Sequence, residues 1–337
     1  MRLKALAAAT ALVLAAGCLM GCTKIESGYY EYGSGIGAVT GDIPEGIPSQ
    51  PSSTLPVEDI PNVILDSGDQ SVLEDIPLAT EGGEPAAEAG TTLDLSTLIE
   101  PLALGGPWDH STLSTEGDGY GQGTHFDELN RPRGAIRFNE EYSKYNAKAI
   151  DITEAKVITL TFDQGYENGY TAKILDTLKE KGVKATFFLV TDYAERQPEL
   201  VKRMIDEGHT VGNHSWHHYS MPELSEEDAR SEIMELHDYM LENYGVLMNK
   251  FRPPKGEYSE LSLAVTGELG YTTVLWSFAY ADWDTDNQPD PEASLQKLID
   301  RAHPGAIYLL HSVSETNAEI LGAFIDEMLA QGYSFIA

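Results

Sequence analysis

The hydrophobic pattern changes near residue 156 from irregular to a regular alternation of short apolar runs and amphipathic stretches. The run 157–162 is apolar enough for a buried strand, and 171–181 repeats apolar residues at helical spacing before Gly182. Further strands are predicted at 185–190, before Arg252, and at 272–276, 306–310 and 334–336; helices are predicted at 198–207, 225–244, 259–268, 291–301 and 315–331. Repeated strand–helix units predict an α/β fold with a parallel sheet covered by helices.

The first residues have the pattern of a secretory signal. Arg2 and Lys4 precede an apolar run that is too short and too alanine-rich for a good membrane span. The residues Leu19–Cys22 are typical of a lipoprotein signal, with Cys18 as a second candidate for lipidation. We therefore expect residues 1–22 to be a lipoprotein signal peptide, and the protein to be extracytoplasmic and lipid-anchored to the cell membrane. The alternative is an ordinary cleaved signal whose cysteines are incidental.

Residues 23–105 do not have the composition of a core. They are rich in Gly, Pro, Ser and Thr, and they hold 15 acidic residues against the single Lys24. Such a stretch cannot bury enough apolar surface to offset its ordering entropy, so it predicts a disordered acidic tether. Residues 106–155 contain scattered aromatic residues and predict an extended lead-in segment, packed on the domain formed by residues 156–337.

Charge and cysteine content restrict the possible partners. The formal net charge is −32 at pH 7, so the chain would repel a nucleic acid. A neutral sugar chain is a better partner than a polyanion. After removal of the signal, at most one cysteine stays in the folded part, so no disulfide framework is available and stability must come from a core.

Polar residues with catalytic chemistry follow the predicted strands. Asp163, Arg252, Asp282 and His311 fall at or just beyond the C-terminal ends of those strands. Active sites of parallel barrels are built at this face, so the four residues are expected to converge. An arginine beside Asp163 would keep its carboxylate ionised, as a general base requires, and His311 could donate a proton near neutral pH. Taken singly, Asp163 could cap a turn and His311 could be a structural histidine.

Two histidines form a candidate metal-binding pair. His214 and His218 are four residues apart, so on a helical turn both imidazoles would project to one side and could hold one divalent cation. A pair of this kind is a weak signal by itself, since surface or core histidines can have the same spacing. His217, between them, is the less suitable ligand.

Five short segments together resemble the polysaccharide deacetylase family (NodB homology, carbohydrate esterase family 4). They are Thr161–Gly165, His214–His218, Arg252–Gly256, Asp282–Trp283 and Leu309–Ser312. The resemblance runs from about residue 157 to 337, and segments 165–171 and 303–311 look most like the muramic-acid, delta-lactam-forming branch. It implies a distorted (β/α) barrel of seven or eight strands and the removal of N-acetyl groups from bacterial peptidoglycan.

By this resemblance, the metal ligands would be His214, His218 and the residue at position 164, and the expected cofactor is a divalent metal ion, zinc first. Most of the family has an aspartate at the third position, where this chain has Gln164. An amide oxygen is neutral and a weaker ligand than a carboxylate. Gln164 could coordinate weakly, a water could replace it, or the metal could be lost; the muramic-acid branch also lacks a carboxylate there.

The same resemblance implies the catalytic and substrate-binding roles. Asp163 is expected to be the general base held by Arg252, and His311 the general acid oriented by Asp282. Two prolines stiffen the loop 252–256, which is expected to aim the Lys255 N–H at the oxyanion. Substrate contacts are expected from Trp283 and Leu309 at the acetyl pocket, and from exposed faces of Trp216, Tyr280 and Trp283.

Two other functions stay open at the level of the sequence. The chain could deacetylate N-acetylglucosamine polymers or remove O-acetyl groups from another polysaccharide. It could also be a non-catalytic, lipid-anchored glycan-binding protein, because Gln164 and Ala279 both stand where the family usually has aspartates. The expected partner is a peptidoglycan glycan strand, the membrane is contacted through the lipid anchor, and the protein is expected to be a monomer.

Overall fold

The structure is a computed structural model, and it describes residues 106–337. The predicted signal peptide with Cys18 or Cys22 and the predicted tether fall on residues 1–105 and lie outside the described residues. Within residues 106–337, every helix is too short or too polar to cross a membrane.

The strands follow the predicted alternation. Those of the described residues are β1 (Asp118–Gly119), β2 (Ala147–Lys148), β3 (Val157–Gln164), β4 (Thr186–Leu189), β5 (Thr210–Asn213), β6 (Lys250–Phe251), β7 (Glu257–Tyr258), β8 (Thr272–Val274), β9 (Ala306–His311) and β10 (Ser334–Ile336). All pairings in the main sheet are parallel, and its strand order is β10-β3-β4-β5-β6-β8-β2. The strand β9 also pairs with β3, along the edge of β3 that faces away from β4. The short strands β1 and β7 form a separate antiparallel pair.

The sheet curls until its two sides meet. The chain beyond β8 reaches β9 through a parallel bridge between Phe278 and Tyr308, and the Leu309 N–H donates to the Phe278 carbonyl at 2.9 Å. These contacts confirm the distorted (β/α) barrel of seven or eight strands. The carboxyl ends of the strands therefore surround one face, at which Asp163 and His311 are direct neighbours on β3 and β9.

Eight α-helices of residues 106–337 cover this sheet and join its strands. They are α1 (Arg133–Tyr142), α2 (Thr171–Lys181), α3 (Thr191–Arg196), α4 (Pro198–Asp206), α5 (Glu226–Tyr244), α6 (Glu260–Glu268), α7 (Pro291–Asp300) and α8 (Glu315–Ala330). Ser225 caps α5 by accepting a hydrogen bond from the Asp228 N–H, and Gly245 ends it in the left-handed conformation. The helices predicted from the sequence are confirmed to within one residue at either end.

Three elements of the barrel differ from the prediction. The strand β5 is absent from the predicted alternation because Gly212 and Asn213 interrupt its apolar pattern; a Cβ at Gly212 would lie 2.6 Å from the Phe188 ring. The short helix α3 follows β4 directly and was also missed. The strand predicted at 272–276 ends at Val274, because the chain then turns toward β9.

The expectation that residues 106–155 are extended is wrong, because they contain helix α1 and a 3₁₀ turn at Ser143–Tyr145. This segment still packs on the barrel. Phe138 and Tyr145 share a buried cluster with Tyr258, Trp276 and Leu309. Aromatic rings bury large apolar areas, so the segment contributes a second core beside the main one between sheet and helices.

Candidate active site

Asp163 and Arg252 form a buried ion pair at the carboxyl ends of β3 and β6. Arg252 Nη1 donates to Asp163 Oδ1 at 2.7 Å, and neither side chain is appreciably exposed. Burial raises the pKa of Asp163, but the charge of Arg252, aided by His214 and His311, outweighs burial and lowers it. The carboxylate is therefore held ionised and in a fixed orientation.

Arg252 is itself fixed on every side. Its Nε donates to the Val274 carbonyl at 2.9 Å and its Nη2 to the Leu275 carbonyl at 3.2 Å, beyond the end of β8. The guanidinium carbon lies 4.3 Å from the centre of the Phe188 ring. A buried charge of this kind is tolerated only when it is paired and hydrogen-bonded, and here the pairing partner is Asp163.

Across from this pair, Asp282 holds His311, the last residue of β9. The His311 Nδ1 donates to Asp282 Oδ1 at 2.7 Å, and the His311 backbone N–H donates to Oδ2 at 2.9 Å. Burial lowers the pKa of His311, but the charge and hydrogen bond of Asp282 more than reverse this, so its pKa is raised. The Nδ1 donation leaves Nε2 as the nitrogen that can transfer a proton.

Asp163, Arg252, Asp282 and His311 are called the acid–base side below, and Gln164, His214 and His218 the histidine side. His214 and His218 lie in the loop after β5, so the predicted helical turn is wrong. Ser215 and His218 have φ of 72° and 61°, and these left-handed residues bring the two imidazole centroids to 4.8 Å. The loop therefore brings the two imidazoles close together, as the helical spacing was expected to do.

The histidines have the chemistry of metal ligands. The carbonyl oxygen of Arg252 lies 2.7 Å from His214 Nδ1 and can only accept, so Nδ1 carries the proton and Nε2 keeps its lone pair. That Nε2 lies 3.5 Å from Asp163 Oδ2. Burial lowers the pKa of His214 and, more strongly, that of His218. Both rings are therefore held in the neutral form that binds a cation.

Gln164, the last residue of β3, has a buried side chain next to Asp163 in the sequence. Its Nε2 donates to Ser312 Oγ, whereas its buried Oε1 accepts no hydrogen bond from any residue between 106 and 337. A buried acceptor left in this way is costly unless another group meets it. Within the same residues, no group of three or more His, Cys, Asp and Glu side chains could hold a metal ion. The paired imidazoles of His214 and His218 and the buried oxygen of Gln164 are the neutral groups at this end of the sheet.

The Lys255 loop is held by the lead-in segment. Lys255 has φ of 59°, and the Gly256 carbonyl accepts from the Tyr120 N–H at 2.9 Å. Tyr120 also donates through its hydroxyl to the Trp276 carbonyl at 2.6 Å, and Trp276 Nε1 donates to Gln122 Oε1 at 3.0 Å. Residues preceding the barrel thus fix the loop that carries the Lys255 N–H, a contact that the sequence did not predict.

The aromatic residues predicted to contact substrate differ in exposure from the aromatic residue beside His218. Trp216 and Tyr280 are only partly exposed and pack against the main core. Trp283 is also partly buried, and Leu309 is buried beside Trp276 in the second cluster. The prominent exposed aromatic near the site is Tyr219, whose exposed fraction is 53%, and sequence reasoning missed it.

Asn317 and Glu232 are two further residues that the sequence did not indicate. Asn317, on α8, donates to Asp282 Oδ2 at 2.5 Å and to the His311 carbonyl at 3.1 Å. Asp282 is therefore supported although Ala279 replaces the usual family aspartate. Glu232, on α5, accepts from the His217 N–H at 2.8 Å. The capping signal at Ser314 places Asn317 on the first turn of α8, but no sequence pattern shows what that turn faces.

Comparison with known proteins agrees with this geometry. The family model for polysaccharide deacetylase matches residues 151–274. The peptidoglycan-N-acetylmuramic acid deacetylase PdaA of Bacillus subtilis is 43% identical over 205 residues, which are 60% of this chain and 78% of that protein. The peptidoglycan-N-acetylglucosamine deacetylase PgdA of Listeria monocytogenes is 33% identical over 205 residues, 60% of this chain and 43% of that protein.

The fold agrees as well. The structure of B. subtilis PdaA, described as a family 4 carbohydrate esterase, superimposes with a TM-score of 0.63 at 41% identity. It covers 66% of this chain and 95% of that chain. The matched part of this chain is longer than residues 156–337, so the match includes part of the lead-in segment as well as the barrel. The chain is therefore a polysaccharide deacetylase and belongs to carbohydrate esterase family 4.

Proposed function

We propose that this enzyme removes the N-acetyl group from N-acetylmuramic acid in peptidoglycan, in a metal-dependent hydrolysis that leads to delta-lactam formation. The observation that carries the proposal is the position of the Asp163 carboxylate. One oxygen is fixed by Arg252, the other faces His214, and His311 is its direct neighbour on β9. A general base, a candidate cation ligand and a general acid are thus gathered around one small volume.

Each step of the hydrolysis has a residue suited to it. Asp163 accepts the proton of the attacking water, because Arg252 keeps its carboxylate ionised. The Lys255 N–H donates to the oxygen that gains charge when the acetyl carbonyl becomes tetrahedral. His311 delivers the proton from Nε2 to the amine of the leaving sugar, with Asp282 stabilising the imidazolium beforehand.

The histidine side would hold the cation. His214 Nε2, His218 and Gln164 Oε1 would be the donors, since zinc accepts imidazole and oxygen ligands of this kind. When bound, the cation supplies Lewis acidity to the acetyl carbonyl and lowers the pKa of water. The neutral Gln164 in place of a carboxylate leaves more of the positive charge of the cation uncompensated, which weakens binding and strengthens that Lewis acidity.

The 43% identical PdaA supports muramic acid as the substrate, whereas the 33% identical PgdA keeps N-acetylglucosamine as the alternative. The test is incubation of residues 106–337 with peptide-free and peptide-bearing glycan strands, followed by mass analysis of each sugar. Loss of acetyl groups from muramic acid supports the proposal. Loss of acetyl groups from N-acetylglucosamine alone would make N-acetylglucosamine the substrate. Binding of the strands without any loss of acetyl groups would support a non-catalytic, glycan-binding function.

The proposal includes a lipid anchor at Cys22, with Cys18 as the other candidate. Both lie outside the described residues, so the support is the signal pattern of residues 1–22. Cell fractionation of Cys22→Ala and Cys18→Ala variants tests it. One of the two should release the protein from membranes, and unchanged fractionation of both would remove the anchor from the proposal.

A further inference from the structure

Two exposed aromatic side chains stand beside the histidine side of the site. The rings of His217 and Tyr219 are stacked, with centroids 4.9 Å apart and an interplanar angle of 18°. The exposed fraction is 48% for the His217 side chain and 53% for Tyr219. The His217 ring lies over one face of Tyr219, and about half of Tyr219 stays exposed.

A buried carboxylate fixes this stack. Glu232 Oε2 accepts from the His217 N–H at 2.8 Å, and Oε1 accepts from His217 Nδ1 at 2.6 Å. The Glu232 carbonyl also accepts from the Trp216 N–H at 2.9 Å, so α5 holds the loop at consecutive residues. An exposed imidazole usually moves among rotamers, and here it cannot without losing a hydrogen bond to a buried charge.

The stack is tied to the site by the chain itself. His218, between the two stacked residues, is buried with an exposure of 8% and packs against His214. Successive side chains therefore point outward, inward and outward over three residues. His218 itself has a left-handed conformation, with φ of 61°.

A single exposed tyrosine needs no functional explanation on its own. Here the ring is pre-organised by a stacked partner, the partner is fastened by a buried carboxylate, and both adjoin a candidate metal ligand. Pre-organised flat apolar surface is what a binding site uses to avoid the entropy cost of ordering side chains. The β-1,4-linked pyranoses of a glycan strand carry equatorial substituents, so their faces consist of C–H groups that pack on aromatic rings.

We infer that the His217–Tyr219 stack is a glycan subsite, which binds the C–H face of a pyranose next to the sugar that is deacetylated. This inference rests on the proposed function, because it takes a glycan strand as the substrate. It concerns recognition of the strand and leaves the chemistry to the acid–base side. The subsite favours strands over single sugars, since only a strand reaches the stack and the reacting group together.

The test compares KM and kcat of wild type and Tyr219→Ala on long peptide-free glycan strands and on N-acetylmuramic acid as a single sugar. Loss of one stacking contact is expected to raise KM for strands about three- to tenfold. The value of kcat for strands and the KM for the single sugar should stay within about twofold of wild type. Tyr219→Trp and Tyr219→Phe should restore the wild-type KM, because both keep an aromatic face.

Leu247→Ala is the matched control, because Leu247 is also 53% exposed and lies outside the site. Equal KM values for wild type and Tyr219→Ala, or a rise shared by Leu247→Ala, would overturn the inference. Calorimetric titration of the strands into the same proteins separates it from the proposed function. If wild type binds strands more tightly than Tyr219→Ala but releases no acetate, the subsite is supported and the proposed function is contradicted. If wild type neither binds nor cleaves strands, both are contradicted.

Discussion

The acid–base side and the histidine side of the site are held in different ways. Arg252 and Asp282 bring opposite charges to Asp163 and His311, each at 2.7 Å, so this side keeps its charges through its own pairing. The histidine side consists of two imidazoles whose pKa is lowered by burial and of an amide. In the proposed reaction, this side gains its charge from the cation.

This difference predicts separable effects of substitution. A change on the acid–base side should remove proton transfer while leaving cation binding largely intact. A change on the histidine side should act first on the affinity for the cation. Kinetic and binding measurements on the same variants therefore distinguish the two sides.

The largest effect is expected from Asp163→Asn. The amide keeps the shape of the carboxylate but cannot accept the proton of water, and loss of a general base typically lowers kcat about 10²- to 10⁴-fold. Strand affinity should stay close to wild type. Acetate release at saturating strands measures the change, with Asp192→Asn, an exposed α3 residue, as control. Turnover of Asp163→Asn at the wild-type rate would move catalysis to another group.

Gln164→Asp tests the histidine side. An anionic oxygen replaces a neutral one beside the imidazoles, so zinc affinity measured by calorimetry should rise. Turnover need not rise with it, because the added charge reduces the Lewis acidity of the cation and raises the pKa of Asp163. His214→Ala should lose affinity in the same titration. Zinc binding by His214→Ala equal to that of wild type would contradict the ligand assignment.

Asn317→Ala should have a smaller effect, which reaches the reaction only through Asp282 and His311. Loss of a hydrogen bond to a charged group costs about 2 kcal/mol of stability. Because Asp282 then holds His311 less firmly, kcat should fall with KM unchanged. The control is Asn168→Ala, which loses a hydrogen bond to the Val313 carbonyl without touching Asp282. Equal kcat values for the two variants would deny Asn317 a positioning role.

The smallest effect is expected at His110, outside both sides. Hydrogen bonds with Glu226, and then Glu268, raise its pKa above the ordinary value of 6.5; Arg230 pairs with the same carboxylates, and Asp109 is adjacent. Because the pKa of His110 is higher in the folded than in the unfolded protein, its protonation stabilises the fold, and this stabilisation is complete below pH 6.5. The stabilisation is lost as the pH rises through the pKa of His110 in the folded protein.

The contribution of such a partly exposed pair is at most about 1 kcal/mol. Between about pH 6 and about pH 8, the thermal midpoint of wild type should therefore fall slightly more than that of His110→Gln. Calorimetry of both proteins across this range measures the difference, and acetate release should be the same in both. Parallel midpoint curves would remove His110 from the pH dependence of stability.

Much of the acid–base side was predictable because it follows from strand ends. Asp163, Arg252 and His311 lie at or just after the ends of β3, β6 and β9, and parallel strands gather such residues at one face. The helix boundaries were also predictable, since caps such as Ser225 and Gly245 are visible in the sequence. These features depend on local signals and on the alternation of strands and helices.

The contacts between distant elements were not predictable. Asn317 meets Asp282 only because α8 packs beside the loop after β8, and Tyr120 meets Gly256 only because the lead-in folds back on the barrel. The loop of His214 and His218 was misjudged because non-glycine residues rarely adopt positive φ, so no propensity favours it. Side-chain exposure, which separates Tyr219 from Trp216, also depends on the tertiary packing.

The most direct test of the central claim, that both sides act in one metal-dependent deacetylation, is acetate release from peptide-free glycan strands. Wild type is measured as purified, after removal of metal with a chelator, and after return of zinc. We expect release to disappear with the metal and to return with zinc, while the thermal midpoint shows that the chelated protein stays folded. Full acetate release by the metal-stripped protein would contradict the account.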